Sequence, residues 1–128
     1  MATNKHKGTC YIDIGGKKRG LVFNLNAIDI MCQGLNIEFE HLEQAFVKRK
    51  LISLCWLIYG ACIAYDEKHS KDIDYNIHDF FDWCLNISKE DTEMVMQTFI
   101  ASQTLENDSN NGLSRKVVKS TKDDVKKN

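Results

Sequence analysis

The feature that most constrains this chain is one continuous apolar run, LISLCWLIYGACIAY, over residues 51–65. Charged residues flank the run on both sides, at positions 48–50 and 66–68. A helix that crosses a bilayer needs about 20 apolar residues, whereas this run is shorter and contains Ser53 and Gly60. We therefore predict that residues 51–65 form a buried helix of a soluble protein and not a membrane segment.

At helical spacing this run carries two apolar stripes. One consists of Leu51, Leu54, Cys55, Ile58 and Cys62, and the other of Ile52, Trp56, Tyr59 and Ile63. A helix in a small domain usually buries one stripe. The second stripe therefore faces either a neighbouring helix of the same domain or a partner protein, and both arrangements give the same sequence pattern.

Upstream of this helix the sequence indicates a β-hairpin. Residues 9–14, TCYIDI, alternate between two faces as a strand does. Residues 15–20, GGKKRG, predict the turn, and residues 21–25, LVFNL, predict the second strand. This hairpin has a loop longer than the tightest type. Because a lone hairpin is marginal in water, we expect it to pack on the helices.

A first helix follows the hairpin. Asn24 or Asn26 can cap a helix that starts near Ala27, and Gly34 is suited to end it in the left-handed conformation. A short helix over residues 39–46 comes next. We expect the chain to bend after it and then to enter the long apolar helix.

Two more helices follow the long one. Residues 77–85, IHDFFDWCL, repeat apolar side chains at helical spacing. Ser88 resembles an N-cap, with Asp91 three residues later as in a capping box, for a helix that ends near Leu105. Residues 106–128 are polar and charged, and they contain too little apolar surface to offset the entropy of ordering.

The predicted fold class is α+β, mainly α. It consists of an N-terminal β-hairpin, a bundle of four or five helices and a disordered C-terminal tail. The domain spans residues 9–105, between a flexible N-terminus, residues 1–8, and the charged tail, residues 106–128. A chain of 128 residues can bury a core without metals or disulfides.

The sequence carries no recognisable catalytic or metal-binding pattern. Its five cysteines are odd in number and include no Cys-x-x-Cys pair, which predicts free thiols in a reducing cytosol. The glycine loop at residues 15–20 lacks the spacing of a phosphate-binding loop. No local set of residues fits a metal site or a nucleophile beside a base. We predict no enzymatic activity, no metal and no cofactor.

Charge gives no reason to expect nucleic acid or a membrane as partner. The formal net charge is -1, so no overall field attracts the chain to either. The basic residues of the tail could contact phosphates, but this tail has no aromatic residue to stack on bases. Asp123 and Asp124 also interrupt its positive charge.

The surplus of apolar residues favours protein binding instead. Tyr, Trp and Met are enriched in the cores of protein interfaces. The predicted partner-binding residues are the second stripe, two outlying apolar side chains and the basic hairpin residues: Ile52, Trp56, Tyr59, Ile63, Trp83, Met96, Lys17, Lys18 and Arg19.

The order of these elements resembles the tail assembly chaperones of long-tailed bacteriophages. The resemblance covers residues 9–105. It comprises the hairpin, the passage FNLNAIDIM at residues 23–31, the break at Gly34, the HLEQAF helix at residues 41–46, the long apolar helix and a last helix with an acidic cap.

The resemblance implies that the protein binds the hydrophobic, helical tape measure protein in the host cytoplasm. Such chaperones keep this client soluble, help to recruit tail tube protein, self-associate and are not retained in the mature virion. The family has no residue-level signature to transfer, so the partner-binding residues above rest on the apolar pattern alone.

Three other functions fit the sequence. A small structural virion protein, such as a connector or a tube-associated protein, would be found in purified particles. A helical adaptor or regulator that contacts DNA through the tail would lose salt-sensitive binding when residues 113–128 are deleted. An enzyme would bind a metal or contain a cysteine with a strongly shifted pKa.

Overall fold

The computed structural model describes the backbone of residues 8–113 and the side chains of residues 8–103. An antiparallel hairpin of two strands precedes five α-helices, so the predicted α+β, mainly α class is confirmed. Strand β1, Thr9–Ile14, pairs with β2, Lys17–Val22, from Thr9 opposite Val22 to Ile14 opposite Lys17. The predicted flexible residues 1–7 lie outside the described part of the chain.

The hairpin turn is tighter than the sequence predicted. Gly15 and Gly16 alone form it, with φ angles of 67° and 86°. Positive φ at both central residues is what a two-residue turn of type I′ requires, and it matches the twist of the strands. Two glycines therefore suffice, and Lys17 to Arg19 join the second strand instead of the turn. The predicted loop over residues 15–20 and strand over residues 21–25 were wrong.

The helices follow one another through short connections. They are α1, Leu25–Leu35; α2, Leu42–Lys48; α3, Lys50–Lys68; α4, Ile77–Trp83; and α5, Lys89–Leu113. One 3-10 turn, Phe39–His41, comes just before α2, and another, Cys84–Asn86, comes just after α4. At Arg49 the backbone leaves the helical region, with φ -137° and ψ 65°. This confirms the predicted bend between the short helix and the long one.

Asn24, one of the two caps that the sequence suggested, starts α1, whereas the helix ends two residues later than predicted. The Asn24 side chain accepts a hydrogen bond from the Ala27 N–H at 3.0 Å, and the helix begins at Leu25. At its other end Asn36 is left-handed, with φ 58° and ψ 49°. The prediction that Gly34 ends the helix was wrong. Gly34 is helical, and a side chain there would put its Cβ 2.2 Å from the Trp56 ring.

Helix α5 begins where the sequence predicted and ends later. The Ser88 Oγ accepts a hydrogen bond from the Asp91 N–H at 3.0 Å, which confirms the N-cap. The Asp91 carboxylate accepts a bond from the Asp13 N–H at 3.3 Å, which links the helix to β1. The helix continues past Leu105 to Leu113, because neither proline nor glycine interrupts the chain before Gly112. Residues 114–128 of the predicted tail lie outside the described residues.

Replacing the α1 cap tests which asparagine starts the helix. Asn24→Ala is expected to lower the free energy of unfolding by about 1 kcal/mol, because the Ala27 N–H loses its side-chain acceptor. Asn26→Ala is the control, since Asn26 makes only an exposed bond from its Nδ2 to Glu67 Oε1, at 2.9 Å. It should change the stability by less than about 0.5 kcal/mol in urea denaturation. Equal losses for the two variants would contradict the assignment of Asn24 as the cap.

The core is built around α3. This helix packs against α1, α2, α4 and β2, while β1 packs against α5. Leu57, Ile58 and Ala61 of α3 have no exposed surface. Gly60 allows α1 to approach closely, since a Cβ there would lie 2.6 Å from the Ala27 carbonyl oxygen. Among the described residues no helix is both long enough and apolar enough to cross a bilayer.

Candidate protein-binding surface

The predicted second stripe of α3 is partly covered by the chain itself. Ile52, Trp56, Tyr59 and Ile63 are all half-buried. The Trp56 ring meets the Phe81 ring edge-on, with 6.3 Å between centroids. The Tyr59 ring meets Phe80 in the same way at 5.4 Å. Helix α4 of the same domain is therefore one neighbour of this stripe, which was one of the two alternatives that the sequence left open.

The first stripe is the buried one, except at its start. Leu54, Cys55, Ile58 and Cys62 are buried, whereas Leu51 is 51% exposed. Leu51 lies in the first turn of α3, just after the bend. Leu51 is thus open to solvent, although Ser53 two residues later donates a hydrogen bond to the Ala45 carbonyl oxygen of α2 at 3.1 Å.

The predicted residues of the hairpin divide into two kinds. The Arg19 guanidinium lies 4.7 Å from the Trp83 ring centroid and 5.3 Å from that of Tyr75. Its Nε also donates to the Ile14 carbonyl oxygen at 2.9 Å. Arg19 and Trp83 therefore hold the hairpin against α4. Lys17 and Lys18 are exposed, and Lys18 forms a solvated ion pair with Asp13 at 3.8 Å, a kind of pair that contributes little stability.

Met96, the remaining predicted residue, is half-buried on α5. The nine predicted residues thus lie on the hairpin, α3, α4 and α5. Lys17 and Trp83 share one depression beside the turn. The structure does not bring the nine together in a single groove.

Large apolar side chains are exposed at other positions. These are Leu25, Phe39, Val47, Leu51, Ile73, Leu85 and Ile100. Leu25 and Phe39, which are 77% and 58% exposed, line one groove with a volume of about 710 Å³. The sequence assigned Leu25 to a strand and Phe39 to the apolar face of a helix, so neither was expected at a surface. The available signal was the Asn24 cap, which places Leu25 at the first position of α1 and not in a strand.

This groove, the α1 groove, lies between α1 and the segment that follows it. Leu25, Ile28 and Cys32 are three to four residues apart and share one face of α1. The left-handed Asn36 reverses the chain, and the Ile37 N–H donates to the Cys32 carbonyl oxygen at 3.0 Å. This turn brings Ile37 and Phe39 back beside the helix. The groove therefore has an apolar floor and two exposed apolar side chains at its rim.

The charge in the α1 groove is negative. Asp29 and Glu38 line it, and no lysine or arginine does. Burial, and then the charges of these two carboxylates, raises the pKa of the Cys32 thiol. The Gln33 amide donates to Asp29 Oδ2 at 2.8 Å. Neither carboxylate forms an ion pair with any side chain that the structure describes.

Four of the five thiols are poorly suited to nucleophilic chemistry; the exception is Cys55, a buried thiol whose pKa is lowered by a side-chain hydrogen bond with Cys84. Burial raises the pKa of both Cys10 and Cys62 to about 11. A side-chain hydrogen bond with Cys55, together with burial, raises the pKa of Cys84. A protonated thiol is a weak nucleophile and a weak metal ligand. Within residues 8–103 no group of three or more His, Cys, Asp or Glu residues is arranged to hold a metal ion.

Comparison with protein-family models, with curated proteins and with solved structures gave no match for this chain. Its function is therefore inferred from the surface that it presents.

Proposed function

We propose that this chain is a tail assembly chaperone of a long-tailed phage, and that it captures an apolar helix of the tape measure protein in the α1 groove. One observation carries the proposal. Leu25 and Phe39 are large apolar residues that stand mostly in solvent on either side of an apolar groove, although the domain has a well-formed core elsewhere. Exposed apolar surface that surrounds a groove is typical of a protein-binding site.

The shape of the groove fits the way in which amphipathic helices are recognised. A bound helix places its apolar side chains, at positions i, i+3 or i+4 and i+7, into such a groove. A volume of about 710 Å³ accommodates a few large side chains and not a whole helix. The client therefore lies along the rim and inserts its apolar side chains between Leu25 and Phe39. Burying one leucine or phenylalanine fully stabilises a complex by about 1.5–3 kcal/mol.

A transient role follows from the same chemistry. The groove offers apolar contact from Leu25, Ile28, Ile37 and Phe39, and such non-directional contact suits many apolar helical segments of one long client. Release then needs only a competing surface, such as the tail tube protein that assembles around the tape measure. In this reading Trp56 of the second stripe of α3 helps to position α1, because its ring packs on Gly34.

Acidic substitutions in the groove test the proposal. Leu25→Asp and Phe39→Asp are each expected to reduce capture of the tape measure protein encoded in the same genome by at least tenfold. A tenfold loss corresponds to about 1.4 kcal/mol, which is less than the contact energy of one buried apolar side chain. The measurement is the amount of tape measure protein that stays soluble and copurifies when the two chains are expressed together.

Leu85→Asp is the matched control. Leu85 is 68% exposed in the 3-10 turn after α4 and does not line the α1 groove. The Leu85→Asp variant should therefore capture as much tape measure protein as the native chain does. If the two groove variants capture the client as well as the native chain does, the groove is not the site. If the chain is found in purified particles, it is a structural virion protein and not a chaperone.

A further inference from the structure

The α1 groove carries one carboxylate in each of its two walls. On α1, Asp29 lies within one helical turn of both Leu25 and Cys32, so these three residues share the face that lines the groove. In the other wall Glu38 lies directly before Phe39, and both line the groove. The negative charge is therefore set within the apolar surface and not to one side of it.

Both carboxylates act on the same point of the groove, the Cys32 thiol. Burial is the largest cause of the raised pKa of this thiol, and the charges of Asp29 and then of Glu38 add to it. Cys32 itself is half-buried in the groove. Because the effect of one charge on another weakens with distance, both carboxylates lie close to this thiol. A cation placed above Cys32 would be attracted by the two of them together.

The described part of the chain supplies no cation of this kind. No lysine or arginine lines the groove, and the one ion pair among the described side chains joins Lys18 to Asp13 on the hairpin. The Gln33 amide donates to Asp29 at 2.8 Å, but a neutral amide leaves the charge of the carboxylate in place. Asp29 and Glu38 are both exposed, so a partner can reach them.

These carboxylates restrict which apolar helix the groove can hold. A helix with a purely apolar stripe would press against Asp29 and Glu38 and remove water from them without providing a partner, which costs free energy. A lysine or arginine within the stripe avoids this cost by pairing with them. Its methylene stem also covers apolar surface while its charged end stays at the rim. A cationic stripe therefore matches both properties of the groove.

We infer that the α1 groove recognises an amphipathic helix whose apolar stripe carries a central lysine or arginine, which lies between Asp29 and Glu38. Large apolar residues one helical turn to either side of this cation contact Leu25 and Phe39. The inference rests on the proposed function of the groove and names the chemistry of the client segment. The apolar contacts supply most of the affinity, whereas the charges select the segment and fix its register.

Three fluorescein-labelled peptides test this inference by fluorescence anisotropy with the full chain. Each is an amphipathic helix of about 20 residues, long enough to be helical in water. The first has lysine at the centre of its leucine stripe, and the second has glutamate there. The third exchanges that lysine with a glutamine on the polar face, so its composition and net charge equal those of the first.

The peptide with lysine in its stripe is expected to bind most tightly. Its affinity should exceed that of the glutamate peptide about tenfold, because attraction to two carboxylates replaces repulsion by them. It should exceed that of the exchanged peptide about threefold, because only the position of the charge differs. Raising the salt concentration should reduce both ratios.

Variants of the chain locate the selecting charges. Asp29→Asn with Glu38→Gln keeps the shape of the groove and should reduce the preference for lysine over glutamate to within about twofold. The matched control is Asp82→Asn with Glu93→Gln, which removes two exposed carboxylates that do not line the α1 groove. This control should retain the full preference.

Two results would overturn the inference alone. Equal binding of the lysine and glutamate peptides by the native chain would mean that the groove holds apolar helices without regard to charge. A preference that persists in the Asp29→Asn, Glu38→Gln variant would mean that charge elsewhere attracts the peptide. If the native chain binds none of the three peptides, both this inference and the proposed capture of helices are wrong.

Discussion

Phe80→Ala is expected to lower the free energy of unfolding by about 3–5 kcal/mol, which is the range for removing a buried phenylalanine. Phe80 has no exposed surface. Its ring centroid lies 5.4 Å from those of Tyr59 and Tyr75 and 4.9 Å from that of Trp83. These rings come from α3, α4 and the connection between them, so the cavity cannot close by the movement of one side chain.

Urea denaturation followed by circular dichroism measures this loss, and Phe39→Ala is the control. Phe39 carries the same side chain but is 58% exposed, so its truncation should change the stability by less than about 0.5 kcal/mol. The slope of the free energy against urea concentration should be the same for both variants, because the denatured state is unchanged. Similar losses for the two phenylalanines would mean that the aromatic cluster around Phe80 does not stabilise the fold.

Gly60→Ala is expected to lower the free energy of unfolding by about 2 kcal/mol, although alanine is the better helix former. In the middle of a helix the change from glycine to alanine gains about 1 kcal/mol. Here the added Cβ would lie 2.6 Å from the Ala27 carbonyl oxygen, a backbone atom, so α1 and α3 must move apart. Overpacking of this kind costs up to about 3 kcal/mol, which exceeds the gain.

Gly34→Ala is the comparison for Gly60→Ala, and the stability of both variants is measured by urea denaturation. Its Cβ would meet the Trp56 ring, a half-buried side chain that can move towards solvent, whereas the carbonyl of Ala27 is fixed in a helix. We expect the smaller loss at Gly34. An increase in stability for Gly60→Ala would show that α1 and α3 are not in the close contact described.

Local rules predicted much of this fold because the signals lie within a few residues of the elements they define. Charges on both sides of the apolar run indicated α3, and Ser88 indicated the start of α5. The predicted hairpin turn was too long, because two glycines, Gly15 and Gly16, form the observed turn by themselves. The role of Gly34 depends on Trp56, which is 22 residues later in the sequence, and no local pattern contains that contact.

The candidate site was harder to predict because exposure is a property of the whole fold. The stripe of α3 that contains Trp56 and Tyr59 gives the same pattern whether it meets α4 or a partner. Tyr75, in a segment that reads as a polar connection, is buried and covers part of this stripe. Leu25 became a candidate only when the structure placed it at the rim of a groove.

The packing of β1 against α5 has a consequence for synthesis on the ribosome. The strand leaves the exit tunnel before the helix that covers it, which is the last described element to be made. Chains are extended at about 5–20 residues per second, so the side of β1 that faces α5 stays uncovered for several seconds during translation. Cys10, which α5 buries in the finished protein, therefore lacks this cover in the nascent chain. Until α5 emerges, the growing polypeptide is exposed to aggregation and to oxidation at this strand.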